Sequence, residues 1–338
     1  MSEMNILILS AGRRVELVQC FQKAAKKLNV NSSIVAGDCS NTAPALYFAD
    51  RVCELPRVNE PNYIGSIIEV CNKENIALIV PTIDTDLLLL AENKNLIEEQ
   101  TSAKVLISDT RVVKICRDKV TTQRFLEENG FRIPKMYTNE DLENGDIQFP
   151  LFIKPKSGSS SINTFKVNNS SELKTYKAII EQPIIQDFME GEEYTVDVFL
   201  DFESTVITIV PRLRIATRSG EISKGKIIKD REIINDVSKL TNVLKPIGHI
   251  TVQLMKTKNG IEYIEINPRF GGGAPMSIQS GADSCENLYR LLMGQKLEYN
   301  ENYRDNLTFL RFDSSICLDE NMELITKDCL NRNLELVK

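Results

Sequence analysis

Tyr263-Ile264-Glu265-Ile266-Asn267-Pro268-Arg269 is a strand-like run with Glu265, Asn267 and Arg269 at alternate positions, closed by Pro268. Side chains at i and i+2 of a strand share a face. The run therefore presents a carboxylate oxygen, an amide oxygen and a guanidinium in a row. Oxygen ligands suit Mg²⁺, and Mg²⁺ commonly arrives with phosphates. A solvated strand face with one salt bridge is the plain alternative. The other residues of the run are apolar and Gly271-Gly272-Gly273 follows at once, which favours the cation.

Upstream, His249-Ile250-Thr251-Val252-Gln253-Leu254-Met255 reads as a second strand, with Lys258-Asn259-Gly260 between the two. Asn-Gly between such runs signals a hairpin. A two-residue Asn259-Gly260 turn opposes 258 to 261 and sends Gln253 to the face away from Glu265. A three-residue loop, 258 to 260, with Gly260 left-handed, opposes 257 to 261 and hence 253 to 265. Directly opposed side chains share a face and nearly touch. The three-residue loop is predicted, because it gathers Gln253, Glu265 and Asn267 about one cation.

This trio resembles the metal-binding end of the ATP-grasp superfamily, and most of all the ATP-grasp halves of the carbamoyl-phosphate synthase large subunit. Those halves also place Gln at the first metal position. Many other families carry an acid there, so less negative charge faces the ion here, and one or two metals remain open. The resemblance covers roughly residues 1 to 295, in the order and spacing of its parts. It implies ATP with Mg²⁺ or Mn²⁺ as cofactors. It also implies a pre-ATP-grasp, Rossmann-like domain over 1–110 and an ATP-grasp domain over 111–300, with a flap lobe at about 118–190 and a metal and substrate lobe at about 191–300. Residues 301–338 read as a tail packing on the body.

The preceding sequence fits that order. Residues 5–10, 33–37, 51–55, 77–81 and 105–107 read as strands, alternating with helices at about 15–28, 64–74 and from 84 onward. Such alternation argues for a parallel sheet covered by helices. The fold class is thus α/β at the start and α+β beyond about 110, where strands of mixed length meet helices near 170–180, 230–244 and 284–293. Ser10-Ala11-Gly12-Arg13-Arg14 sits at the first strand-to-helix turn, where α/β folds bind anions. Its two arginines read equally as anion ligands or as a solvated helix start. Asp84 reads first as a helix-capping carboxylate; both Asp84 and Asp86 stand where they can line a ligand crevice.

Phe152-Ile153-Lys154-Pro155-Lys156 is a strand ending in cations. It leads through Ser157-Gly158-Ser159-Ser160-Ser161 into a strand at 164–167. A loop of small residues can close over phosphates with its backbone N–H groups. It lacks the GK[ST] and helix of a P-loop. By the resemblance, Lys119 and Lys154 neutralise nucleotide phosphate, with Ser157, Gly158, Ser159 and Ser160 above it. Gln186, Asp187, Phe188 and Met189 form the hinge along the adenine, and Glu193 accepts from the ribose hydroxyls. Arg212 and Arg214 share a strand face. With Arg269 they suit a developing phosphoryl charge, since positioning and charge neutralisation carry most of phosphoryl transfer. Gly271-Gly272-Gly273 lets backbone approach a ligand and reads as substrate-side.

The function implied is an ATP-dependent carboxylate–amine ligase, with a small-molecule carboxylate and an amine as partners. Three alternatives stand beside it. They are one half of a split carbamoyl-phosphate synthase, an ATP-binding regulatory protein without turnover, and a dinucleotide-dependent oxidoreductase resting on the first domain alone. The 338 residues carry a net charge of −6, which gives no basic footprint for nucleic acid. No apolar run approaches the roughly 20 residues of a membrane helix, and the start does not read as a secretory signal. Eight scattered cysteines show no metal or disulfide spacing, so reduced thiols and a cytoplasmic setting are expected. A homodimer is compatible with the sequence but not specified by it. His249 is the only histidine and reads as a packed structural residue.

Overall fold

The buried run Asn5–Leu9 forms strand β1. Apolar on both faces, it takes the middle of a parallel sheet, where strands read as continuous hydrophobic runs. The computed structural model describes residues 3–156 and 162–325. After β1 come helix α1 (Val15–Leu28), β2 (Ile34–Asp38), β3 (Arg51–Glu54), α2 (Tyr63–Lys73), β4 (Ile76–Pro81), α3 (Asp84–Gln100) and β5 (Lys104–Val105). The five strands pair in parallel in the order β3-β2-β1-β4-β5. One apolar cluster, around Phe21 and Ile8, packs α1 on one face. A second, around Ile67 and Leu90, packs α2 and α3 on the other.

Strand order reverses between β1 and β4. At such a switch point the crevice beyond the strands' carboxyl ends takes ligands. Two loops flank it, Ser10–Arg14 after β1 and Thr82–Asp84 after β4. Ser10 and Gly12 both have positive φ, 50° and 46°, so the first loop turns sharply before α1.

Two helices follow, α4 (Thr110–Arg117) and α5 (Lys119–Glu128). Each is capped by an aspartate: Asp109 accepts from Val112 N–H, and Asp118 from Thr121 N–H. A small lobe then holds α6 (Asn139–Asn144), β6 (Leu151–Pro155), β7 (Phe165–Val167), α7 (Ser170–Ile179) and β8 (Pro183–Asp187), with sheet order β7-β6-β8.

The larger lobe comprises β9 (Gly191–Leu200), β10 (Val206–Arg218), β11 (Glu221–Ile227), α8 (Arg231–Leu244), β12 (Gly248–Thr257), β13 (Gly260–Asn267), α9 (Ala274–Ser280), α10 (Ser284–Leu292) and β14 (Thr308–Leu310). Its sheet order is β13-β12-β9-β10-β11-β14. Tyr194, Val196, Val198 and Leu200 of β9 and Ile250, Val252 and Leu254 of β12 share a core with Ile233, Val237 and Leu240 of α8. Each such side chain removed from water contributes about 1.5–3 kcal/mol. That fixes one face of the sheet against α8 and leaves the alternate residues, Thr195, Thr251 and Gln253, on the cleft side. β14 pairs with β11, Lys224 opposite Leu310, so the tail returns as an edge strand. Among the described residues no helix is long and apolar enough to cross a membrane.

Candidate nucleotide and substrate cleft

Gln253 does stand opposite Glu265, but the predicted loop is not what puts it there. The turn is tighter than expected: Thr257 pairs with Gly260, Lys256 with Ile261 and Leu254 with Tyr263, and the register then shifts so that Gln253 meets Glu265 and Thr251 meets Asn267. Ile264 is the extra residue, a β-bulge of the kind that re-aims side chains beside functional sites. Before it, Ile261 and Tyr263 face the α8 core; after it, Ile266 does. The parity change turns Ile264, Glu265 and Asn267 into the cleft.

That cleft has a volume of about 660 Å³ and lies between the ribbon, the Gly271–Gly273 turn and the crevice of the N-terminal sheet. Asn267 Nδ2 donates to Glu265 Oε1 at 3.0 Å, and Arg269 donates to Asn267 Oδ1 at 3.3 Å. Gln253 Nε2 donates to Glu193 Oε1, which leaves its own amide oxygen outside that contact. The set holds one carboxylate. Among the described residues no group of three or more His, Cys, Asp or Glu is arranged to hold a metal. Oxygen donors of this kind suit Mg²⁺ held chiefly by phosphate and water, which is how that ion is usually bound.

Beside the cleft runs a narrow slot walled by Lys119, Gln123, Leu126, Ile133, Lys154, Gln186, Tyr263 and Ile264. Lys119 Nζ donates to the Pro155 carbonyl at 2.9 Å. Lys154 is buried, and burial, with Lys119 adding to it, pushes its ammonium down to about 8. Burial lowers Lys119 as well, against the pull of Glu265. Two cations kept close at the cost of their own protonation suit a polyanion. Gln186 Oε1 is buried with no hydrogen-bond partner among the described residues.

The rest of the hinge differs from expectation in detail. Asp187 turns its carboxylate to Tyr137 Oη at 2.6 Å, and Lys166 stands over the Phe188 ring, which also tilts on Phe152. The amides of Asp187 and Phe188 already donate to Lys135 O and Pro150 O. Met189 is half-buried. Glu193, expected at the ribose, has Oε1 taken by Arg214 at 2.8 Å and by Gln253. Its second oxygen lies outside both contacts. Ser157, Gly158, Ser159 and Ser160 lie outside the described residues.

Five arginines line the cleft: Arg14, Arg117, Arg212, Arg214 and Arg269. Arg212 is 1% exposed and pairs with Asp197 at 2.9 Å. Asp197 also accepts from Ser277 Oγ at 2.6 Å and Thr251 Oγ1 at 3.1 Å, and lies 3.5 Å from His249 Nε2. Burial alone would raise this carboxyl, but Arg212, with His249 and Ser277 behind it, reverses the effect and holds it well below the ordinary range. His249 is buried, bonded to Ser284 and stacked on Phe270, which is the structural part expected of it. Arg212 Nε and Nη1, Arg214 Nε and Arg269 Nε are buried with no partner among the described residues. A Cβ on Gly273 would stand 2.3 Å from Arg212 Nη1, so the guanidinium lies directly against that backbone.

Asp84 is not the capping residue the sequence suggested. It is the first residue of α3, behind Ile83 at the cap, and binds Arg269 Nη2 at 2.8 Å. Sequence reading missed Glu221, which meets Arg14 across the cleft. A single acid among the charges of β11 carries no signal of its own.

The first stretch matches a model described as the PylC-like N-terminal domain over residues 6–106, and an ATP-grasp domain model matches residues 116–273. A carbamoyl-phosphate synthase of Methanobrevibacter smithii is 24% identical over 156 residues, covering 45% of this chain and 42% of that one. D-alanine–D-alanine ligase B of Clostridium perfringens is 27% identical over 191 residues, covering 50% and 63%. The chain thus spans less than two thirds of the length of these curated relatives. Among solved structures, the biotin carboxylase domain of Hydrogenobacter thermophilus 2-oxoglutarate carboxylase, crystallised with MgADP, ADP and bicarbonate, superposes with a TM-score of 0.70 at 16% identity, over 91% of this chain and 74% of that one. With the parallel N-terminal sheet, the two-lobed body and the matched models in agreement, the chain carries an ATP-grasp domain over residues 116–273 behind a PylC-like N-terminal domain over residues 6–106.

Proposed function

We propose that the chain is an ATP- and Mg²⁺-dependent ligase that activates a carboxylate as an acyl phosphate for attack by an amine. One observation carries this reading. The cleft joins an oxygen-donor ribbon, Gln253, Glu265 and Asn267, to a set of arginines with unspent N–H groups, beside a slot walled by two desolvated lysines. The names of the relatives, a carbamoyl-phosphate synthase and a D-alanine–D-alanine ligase, support the reaction class.

In this reading the adenine lies along Gln186 and the hinge 187–189, with Glu193 toward the ribose. Lys119 and Lys154 hold the phosphates. Gln253, Glu265 and Asn267 hold Mg²⁺, or Mn²⁺ in its place; bound there, the ion neutralises phosphate charge. The substrate carboxylate oxygen attacks the γ-phosphorus and ADP leaves. The amine nitrogen then attacks the acyl carbon, and phosphate leaves with a proton lost from nitrogen. Arg269, Arg212 and Arg214 receive the charge that develops on the transferred group, in a desolvated setting where such contacts are strongest. No side chain becomes a covalent nucleophile.

The test is ADP release from MgATP with paired carboxylates and amines, and mass detection of the amide product. Glu265→Gln is expected to lower turnover by about 100-fold or more, in the range of a lost electrostatic contact at a reacting centre. Uptake of MgATP without ADP release under any pairing would instead identify a binding protein. ADP release with bicarbonate and ammonia alone would identify a carbamoyl-phosphate-forming half. No MgATP uptake by calorimetry would remove the reading altogether.

A further inference from the structure

The N-terminal sheet sends one cation into the cleft that phosphoryl transfer does not use. Arg14 follows the sharp turn after β1, while its neighbour Arg13 is exposed. Its side chain is 19% exposed, yet its two polar contacts are long: 3.4 Å to Glu221 and 3.5 Å to the Thr82 carbonyl. The other two cleft ion pairs from this end are tight, Arg269 with Asp84 at 2.8 Å and Arg212 with Asp197 at 2.9 Å. A guanidinium has five N–H donors in a rigid fork, and both side-chain contacts of this one stand at the long limit of a hydrogen bond. Its one acid is also shared, since Arg311 reaches Glu221 at 3.2 Å.

Its position is equally specific. A Cβ on Gly272 would come within 2.7 Å of both Arg14 Nη1 and Glu221 Oε1. A Cβ on the next glycine would meet Arg212. Arg14 and Arg212 therefore flank adjacent residues of one turn, Arg14 on the side of the N-terminal crevice and Arg212 on the side of the metal ribbon. A small molecule whose reacting group lies by Arg212 and Arg269 has a second fork waiting at Arg14.

We propose that Arg14 anchors a non-reacting carboxylate of the substrate bound between the N-terminal crevice and the Gly271–Gly273 turn, so that the enzyme selects small molecules carrying a carboxylate remote from the group that reacts. This rests on the ligase reading above. Bidentate guanidinium–carboxylate pairing is the geometry that suits both partners. Glu221 is the placeholder: it holds the fork in position, and its long contact gives way to a better one.

The probe is thermal unfolding of the full chain loaded with Mg²⁺ and a non-hydrolysable ATP analogue. It is run against the common amino acids and short dicarboxylic acids, each paired with its carboxamide, and repeated without nucleotide. At least one free acid is expected to stabilise the protein, with its carboxamide binding about 10- to 100-fold more weakly, the value of a charge-assisted pair. Arg14→Met should abolish that discrimination and leave nucleotide affinity, measured by calorimetry, unchanged. A merely structural Arg14 would lower stability and affinity for everything alike and leave the acid-to-amide ratio intact, which overturns the proposal. So does a panel in which no acid stabilises the protein in either state. Failure of nucleotide uptake by the wild-type chain, with acid discrimination retained, would sink the ligase reading and not the anchor.

Discussion

Replacing Asp197 by Asn isolates the charge that holds Arg212 under the cleft floor. Both side chains are 1% exposed, so neither is screened by solvent. Asp197→Asn keeps shape and leaves Arg212 buried without a counter-charge, at a cost of about 3–5 kcal/mol for a broken buried pair. Arg212→Met leaves the carboxylate supported only by Thr251, Ser277 and His249, and is expected to cost a similar amount. With both changes no unpaired charge remains, and apolar replacement of a buried pair is often close to neutral. The double variant should therefore be several kcal/mol more stable than the sum of the single losses predicts.

Equilibrium urea unfolding of the four proteins gives the coupling directly. Acidity supplies a second reading. Asp197 is held below the ordinary carboxyl range, so its contribution is complete above about pH 4 and is lost as pH falls through its folded value. The gap between wild type and Asp197→Asn should accordingly narrow toward acid. Additive single losses, with a coupling below about 0.5 kcal/mol, would refute the pairing as the reason Arg212 is held there.

Three further outcomes follow from named groups. Lys154, pushed down to about 8 by burial and then by Lys119, binds fewer protons folded than unfolded between about pH 8 and 10. Over that window stability should rise with pH while nucleotide affinity falls, and Lys154→Met should flatten both in paired calorimetry and denaturation series. Asp86 is fully buried, accepts from Ser10 Oγ, and is raised by burial to about 6. Its folded cost grows as pH climbs from about 4 through 6, so Asp86→Asn should stabilise the protein at neutral pH by on the order of 2 kcal/mol and flatten that rise in pH-dependent unfolding. Gly273→Ala places a methyl 2.3 Å from Arg212 Nη1, and should cut the proposed ligase turnover by at least about tenfold with nucleotide affinity retained; unchanged turnover would show that the guanidinium moves freely.

What the sequence disclosed was what periodicity and spacing encode. The alternation of buried runs with amphipathic helices sets the parallel sheet, because a strand covered on both faces must be apolar throughout. The same logic marks Gln253, Glu265 and Asn267 as polar exceptions on otherwise apolar strands. Residues whose role is fixed by partners far away in the chain were less legible. Asp84 had a local explanation, helix capping, and only the fold brings Arg269 within 2.8 Å of it. Asp197 carries no local signal, and the four groups gathered on it come from β10, β12 and α9. Glu193 carries a role by resemblance that its contact with Arg214 now divides.

The hairpin shows why a correct pairing can rest on the wrong geometry. Gln253 opposite Glu265 requires one residue of offset relative to the tight turn that Thr257 and Gly260 close. A wider loop supplies that offset at the tip, and a bulge supplies it part-way along. Only the second lets the ribbon serve two faces. With a continuous register, the parity that buries Ile261 and Tyr263 in the α8 core would bury Glu265 and Asn267 too, because a strand's side chains alternate without exception. Placing the extra residue at Ile264 keeps the outer half of the ribbon packed and turns the inner half toward the cleft. Local sequence cannot distinguish the two solutions, since both give the same opposed pair. The burial of Tyr263 can, for it is the constraint that the wider loop leaves unmet.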